Sequence, residues 1–293
     1  MFFRRVFFDV FFFSFFFSVF FCFCCGIVDN LFSFWVFLEL GGLALVPSFF
    51  YNVGGSFHSF YGGLFTYVVV SGFSSVLLVT GFLFVELYYF VLLGFIVKFG
   101  LFPFSLWVYR VFSSSNWFFI FLLSVVMKFP VLFFCFLFGV SCCTGLVYVD
   151  CFFTIFLCSV FVWFFSNSFE YIWCHISLSS VSTLVVACFC SDFFMCSFIY
   201  FYYFVWAICC LVYFYYLSSC GGFFGFSFWV YCFLLLVTPV SLPLFYKLGV
   251  CVSIVYSSIY LIVVWSIYSF SEQIFLYKFG SDNLYSSVYN CWV

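Results

Sequence analysis

Sixteen charged side chains are all that this 293-residue chain can set against water. They are Arg4, Arg5, Asp9, Asp29, Glu39, Glu86, Lys98, Arg110, Lys128, Asp150, Glu170, Asp192, Lys247, Glu272, Lys278 and Asp282. At 5% of the residues, against about 25% in a soluble domain, they cannot cover the surface of a 34.4 kDa globule. Hydrophobic residues make up 69% and the mean hydropathy is +1.37, so the solvent of this chain is lipid. A helix needs about 20 apolar residues to cross the hydrocarbon layer, which leaves room for roughly ten spans. Strands of a membrane barrel alternate apolar and polar residues, and runs such as Val10-Phe11-Phe12-Phe13 do not. The expectation is an all-α polytopic membrane protein.

Breaks in the apolar runs predict spans over 6–28, 31–50, 64–83, 85–112, 117–140, 144–165, 171–190, 193–217, 222–248 and 250–270. They fall at Asp29-Asn30, at the loop 51–56, at Ser113–Asn116, at Ser166-Asn167-Ser168 and at Cys220-Gly221-Gly222. The domain reading is therefore one transmembrane bundle, 1–270, and a polar C-terminal tail, 271–293. Met1-Phe2-Phe3-Arg4-Arg5 precedes an apolar stretch without a small-residue cleavage site. It reads as the start of the first span rather than as a signal peptide, with the arginines on the positive-inside face. An even number of spans returns the tail, with Lys278, to that face. The 61 Phe and 18 Cys are what U- and G-rich codons supply, which points to a biased organelle genome of a protist. No basic stripe offers a nucleic-acid surface, and no Gly-rich loop offers a nucleotide site.

Cys22 and Cys25 have the two-residue gap of a metal or redox motif, with Cys24 between them. No second ligand pair matches them, and in an apolar helix they read as small hydrophobes. The only histidines are His58 and His175. Haem held between helices needs paired histidines, so cytochrome-type electron transfer is excluded. His58 is expected in a solvated loop, whereas His175, near the start of a span, is a tentative site residue.

About ten of the sixteen charges lie near expected span ends or in tails, but Glu39, Glu86, Lys98, Arg110, Lys128 and Lys247 do not. A charge at the bilayer centre costs roughly 2.5–3.5 kcal/mol on insertion scales and persists where it is paired or lines a wet path. Burial disfavours an ammonium ion and a neighbouring carboxylate favours it, so such a group can switch protonation state. Each of the five prolines, Pro47, Pro103, Pro130, Pro239 and Pro243, lies within eight residues of Glu39, Lys98, Lys128 or Lys247. Proline breaks or bends a helix, and broken helices beside buried ionisable groups mark ion-coupled transport. Glu86 and Arg110 lie nearer span ends, where a side chain reaches water by snorkelling.

The stretch Lys98-Phe-Gly-Leu-Phe-Pro103-Phe-Ser-Leu-Trp107 resembles the broken-helix signature of the antiporter-like subunits of respiratory complex I. Trp35-Val-Phe-Leu-Glu39-Leu-Gly-Gly-Leu-Ala-Leu-Val-Pro47 resembles the Glu-bearing helix of that family in the form typical of NADH-ubiquinone oxidoreductase chain 2. Tyr67–Ser75 is similar to the helix that follows, Met127-Lys128-Phe-Pro130 to the next Lys helix, and Ile172–Ser179 faintly to the Ala-Tyr-Ser-Ser-Ile stretch. Pro239-Val-Ser-Leu-Pro243-Leu-Phe-Tyr-Lys247 is similar to the second broken helix, and Ser257–Ile262 to its successor. The matches keep the family's order over about residues 31–270. Tyr109-Arg110 stands where the family usually has Pro and an acidic residue, Ser105 replaces a common His, Ser180 stands where a His or another polar residue is expected, and His175 stands at a Tyr position.

The resemblance implies an antiporter-like fold with about ten transmembrane helices, two of them Pro-broken, shortened at both ends by the family's first three helices and its last. It implies a proton-translocating membrane-arm subunit of NADH:ubiquinone oxidoreductase. Glu39 and Lys98 would pair at the first break (Pro103), Lys128 would be the central relay, and Lys247 the terminal relay at the second (Pro239, Pro243). It places the chain in the mitochondrial inner membrane with both termini in the matrix, beside other membrane-arm and accessory subunits and lipids including cardiolipin. Flavin, iron–sulfur clusters, NADH and quinone would belong to partner subunits, leaving no cofactor or metal on this chain. The alternatives are a paralogous antiporter-like subunit (chain 4 or 5), a non-pumping scaffold of the membrane arm, and a free-standing cation/proton antiporter.

Overall fold

The computed structural model describes residues 2–51, 57–87, 89–138, 144–220 and 225–284. Within them every element is helical. The first four helices are α1 (Phe2–Ile27), α2 (Leu31–Leu45), α3 (Phe57–Leu83) and α4 (Tyr89–Phe99). They are followed by α5 (Leu106–Ser114), α6 (Trp117–Ser124), α7 (Phe129–Phe138), α8 (Thr144–Phe165) and α9 (Phe169–Cys190). The remainder are α10 (Phe193–Cys220), α11 (Gly225–Leu234), α12 (Leu242–Ile254) and α13 (Ile259–Leu284). Tight 3-10 turns cover Val46–Tyr51, Val85–Leu87 and Val126–Lys128.

Eight segments among the described residues are long and apolar enough to cross a membrane. The pairs α4/α5 and α11/α12 are shorter helices, each pair separated by a break. The halves α4 and α5 have 11 and 9 residues, together about one span in length. The chain is thus a polytopic all-α membrane protein. Helix α9 is the hub: 94% of its span is buried, against 22% for the span in α1 and 28% for that in α13. The outer faces carry the excess phenylalanine, as at Phe16, Phe65, Phe164 and Phe194.

The first break follows from Gly100, whose φ of +69° is open to glycine and strained for other residues. Leu101 N–H donates to Ile96 O (3.0 Å) and Gly100 N–H to Val97 O (3.2 Å), closing α4 before the Pro103 turn. Lipid offers no partner for exposed backbone, so side chains supply them. The Trp107 indole donates to Val97 O at 3.0 Å, and Phe102 N–H donates to Thr154 Oγ1 of α8 at 3.0 Å. A Cβ at position 100 would lie 2.3 Å from Val108 Cγ2. Gly100→Ala is therefore expected to destabilise the chain by roughly 1–3 kcal/mol, read as a lower thermal midpoint in detergent.

The second break lies between α11 and α12. Val237 N–H donates to Gln273 Oε1 (2.8 Å), Trp206 Nε1–H donates to Leu234 O (2.8 Å), and Tyr202 O–H donates to Leu242 O (3.0 Å). Val240 adopts φ 76° there, a strained conformation for a β-branched residue. Pro243 lies in the first turn of α12, where its missing N–H costs nothing.

A third interruption was not anticipated. The 117–140 span is divided at Ser124 into α6, a 3-10 turn ending at Lys128, and α7 with Pro130 in its first turn. The Tyr200 and Tyr203 hydroxyls donate to the carbonyls of Val125 (3.2 Å) and Ser124 (3.3 Å) at this interruption.

Two expected boundaries shift. The final helix runs from Ile259 to Leu284 rather than over 250–270, and α12 occupies the chain up to Ile254. The boundary placed at 270 therefore falls inside a helix; residues 285–293 of the expected tail lie outside the described residues. His58, expected in a loop, belongs to the first turn of α3, and the loop residues 52–56 and 221–224 lie outside the described residues.

Candidate functional site

Three lysines stand at or near helix interruptions. Lys98 is the penultimate residue of α4, two before Gly100, Lys128 closes the 3-10 turn before α7, and Lys247 is the sixth residue of α12, about one and a half turns beyond the second break.

Lys98 forms an ion pair with Glu39 of α2, and both side chains are largely buried. The last turn of α4 also favours a cation through its helix dipole. Gly42, three residues after Glu39, lies beside the pair, and Tyr67 donates to Gly42 O at 2.9 Å.

Lys128 is 3% exposed. Its ammonium donates to Ser177 O (2.9 Å), Ser180 Oγ (2.6 Å) and Tyr203 Oη (2.8 Å), and lies 4.1 Å from the centre of the Tyr203 ring. All three acceptors are neutral. A buried cation held by hydroxyls and a carbonyl alone is solvated by exchangeable groups rather than neutralised, which suits a transient charge.

Lys247 pairs with Glu272 of α13 at 3.1 Å, with Ser269 O at 3.5 Å. Glu272 is buried, at 5% exposure.

Two cavities join these groups. One of about 50 Å³ is lined by Tyr67, Ser71, Lys98, Ser124, Lys128 and Ser177 among others. The second, about 20 Å³, is lined by Ser179, Ser180, Thr183, Tyr246, Lys247 and Glu272 among others. A water needs about 10–15 Å³ and two to four polar partners, so both can hold water. The result is one polar axis: Glu39, Lys98, cavity, Lys128, Ser180, cavity, Lys247, Glu272.

The structure brings Glu39, Lys98, Lys128 and Lys247 onto this axis, with Pro103, Pro239 and Pro243 at or beside the breaks. Glu86 is exposed in a 3-10 turn and Arg110 is exposed on α5, both off the axis. His175 lies to one side, its Nδ1 2.8 Å from the Tyr109 hydroxyl. Sequence reasoning missed Glu272, which it assigned to the tail, and Tyr203, one aromatic among many. The available signal for Glu272 was the apolar stretch Ile274-Phe275-Leu276-Tyr277 beyond it, which continues the helical run past residue 270.

Two solved structures share this architecture. Over 86% of its length the chain superposes on a chain of respiratory complex I from Thermus thermophilus, solved with bound aureothin, with a TM-score of 0.69 and 12% identity. Over 87% of its length it superposes on a chain of the membrane-bound sulfane sulfur reductase, an archaeal respiratory membrane complex, with a TM-score of 0.70 and 13% identity.

The fold is one used in respiratory membrane complexes.

The chain spans just under two thirds of those two solved chains, 65% and 62%. No protein-family model and no curated protein matches the sequence.

Proposed function

We propose that this chain is a proton-translocating membrane-arm subunit of an NADH:ubiquinone oxidoreductase of the complex I type, in the chain 2 form, resident in the mitochondrial inner membrane. The single observation that carries the reading is the continuous polar axis, in which two ion pairs flank a buried lysine across two cavities. The shared fold with chains of respiratory complexes supports it.

In this reading Glu39 and Lys98 accept and hand on charge at the first break. Lys128 relays it through Ser180 and the smaller cavity, and Lys247 with Glu272 forms the terminal station. Each group acts on the next by Coulomb coupling. Two unit charges about 10 Å apart at an effective dielectric of about 20 interact by about 1.7 kcal/mol, more than tenfold in a protonation equilibrium. Redox chemistry at flavin, iron–sulfur clusters and quinone belongs to partner subunits, and the membrane-arm neighbours supply the charge movement that starts the relay. Both termini would face the matrix, and cardiolipin would be among the lipids around the bundle.

The test is recovery of the native assembly through an affinity tag on this chain, followed by reconstitution in vesicles. Co-recovery of NADH:ubiquinone reductase activity with NADH-driven proton transport is expected. Isolation of the chain alone, active as a cation/proton exchanger, would overturn the assignment.

A further inference from the structure

We propose that Trp173 and Ser124 position the proton path between Lys98 and Lys128. The indole holds the Ser124 oxygen as an acceptor and thereby aims the serine proton into the larger cavity, where it fixes the water that hands protons to Lys128. The inference rests on the proton-relay reading above and gives that relay two positioning residues outside the charged axis.

A serine inside a helix ordinarily turns its proton back onto a carbonyl of the preceding turn. Ser177, Ser179 and Ser253 do so, at 3.0, 3.0 and 2.7 Å. Ser124, the last residue of α6, does not. Its Oγ accepts from Trp173 Nε1–H at 3.0 Å, and among the described residues no acceptor takes the Ser124 proton. At 3% exposure the residue is also closed to bulk water. Beside it lies the larger cavity, whose wall Ser124 shares with Lys98, Lys128 and Ser177. A buried donor is costly unless it finds a partner, and water in that cavity is the partner that remains.

This chain satisfies its other indoles differently. Trp107 and Trp206 donate to carbonyls, Val97 O and Leu234 O, at 3.0 and 2.8 Å. Trp163 donates to Ser271 Oγ at 2.7 Å, but Ser271 passes its own proton to Ser159 O at 3.1 Å. Were Trp173 only to be packed and satisfied, a carbonyl would serve. Taking one lone pair of a hydroxyl and leaving its proton free instead restricts where that proton can point.

The same two residues meet Lys128 from the other side. Trp173 is fully buried, and its ring lies nearly parallel to that of Tyr203, with 19° between the planes and 6.4 Å between the centres. Tyr203 Oη accepts from Lys128 Nζ at 2.8 Å and donates to Ser124 O at 3.3 Å. Ser124 therefore reaches the lysine through its carbonyl and the cavity through its hydroxyl, and Trp173 contacts both arms. The charged lysine donates to Ser177 O, Ser180 Oγ and Tyr203 Oη. Its neutral amine has one lone pair to fill, and the water held by Ser124 fills it. A proton passes from that water to the Lys128 nitrogen while the Lys98 ammonium restores the water. One N–H bond breaks, another forms, and a single charge moves from Lys98 to Lys128.

The experiment uses the reconstituted complex and measures NADH-driven proton transport per assembled complex. Trp173→Phe keeps a ring against Tyr203 and removes the N–H, which frees Ser124 to turn back onto its own helix. A fall of about fivefold or more in rate is expected, at an unchanged yield of complex. Ser124→Ala is expected to lower the rate as much, and Ser124→Thr, which retains the hydroxyl, to restore it. Because both residues act through one hydroxyl, Trp173→Phe should have no further effect in the Ser124→Ala background. An unchanged rate per complex in Trp173→Phe, or an effect of that change undiminished in the Ser124→Ala background, would overturn the proposal. Should one of the single variants fail to assemble, the rate of the other, lowered or unchanged, decides. Lys128→Met, measured alongside, separates the two readings. If it stops transport while the other variants do not, only the positioning role falls; if it too is without effect, the relay falls and the positioning role with it.

Discussion

Replacing Lys128 by methionine is expected to stop proton transport while the chain still folds and assembles. Methionine fills nearly the same volume without a charge, and the site tolerates the loss because its partners keep other bonds. Ser180 Oγ–H donates to Ser177 O at 2.8 Å and the Tyr203 hydroxyl donates to Ser124 O at 3.3 Å. Only acceptor capacity goes unused, which costs less than a stranded donor, and the desolvation of a buried ammonium ion disappears. Function has no such compensation, since the cavity from Lys98 ends on Lys128 and the cavity to Lys247 begins at its partner Ser180. The rate of NADH-driven proton transport, measured in vesicles, should fall by about tenfold or more. An unchanged stoichiometry and rate would remove Lys128 from the relay and favour a scaffold role for the chain.

The second large effect is expected at Lys247 and Glu272, where stability and transport separate. Glu272→Ala leaves a buried ammonium ion without its counter-charge, and Lys247→Met leaves a buried carboxylate. Each single change is expected to cost about 3–5 kcal/mol, whereas the double change to Met and Leu should return to within about 1 kcal/mol of the starting stability. The thermal midpoint and the yield of assembled complex report this cycle. Transport should remain lost in all three variants. A double variant that pumps normally would show that the pair is architectural.

Much of this site could be read before any coordinates because charge is so scarce. Glu39, Lys98, Lys128 and Lys247 each stand alone in an apolar run, and a lone charge in lipid demands a partner or a wet path. Pro103 and Pro239 announced the breaks for a similar reason. Glu272 escaped because Ser271-Glu272-Gln273 looks like the polar end of a chain, whereas those residues sit mid-helix: Gln273 satisfies the Val237 backbone at the second break, and Glu272 faces Lys247. The interruption at Lys128 escaped because Pro130 is compatible with the opening turn of a helix, so nothing local reveals that the chain behind it is 3-10. Tyr203 could not be singled out among 22 tyrosines. What distinguishes it is a position facing Lys128 across the bundle, which is a tertiary fact.

The hydroxyls of α9 have a consequence for biogenesis. Ser177 donates to Cys174 O, Ser179 to Ile176 O, Ser182 to Ser179 O and Thr183 to Ser180 O, each within its own helix. Such back-bonding lets a polar-rich segment satisfy itself locally. The hydroxyls of this helix therefore enter the bilayer with their donors already satisfied, before any neighbouring helix packs against them. The segment bearing Lys128 precedes α9 in the chain; when α9 packs against it, Ser180 needs only to offer a free lone pair, so the contact forms at no cost in broken bonds.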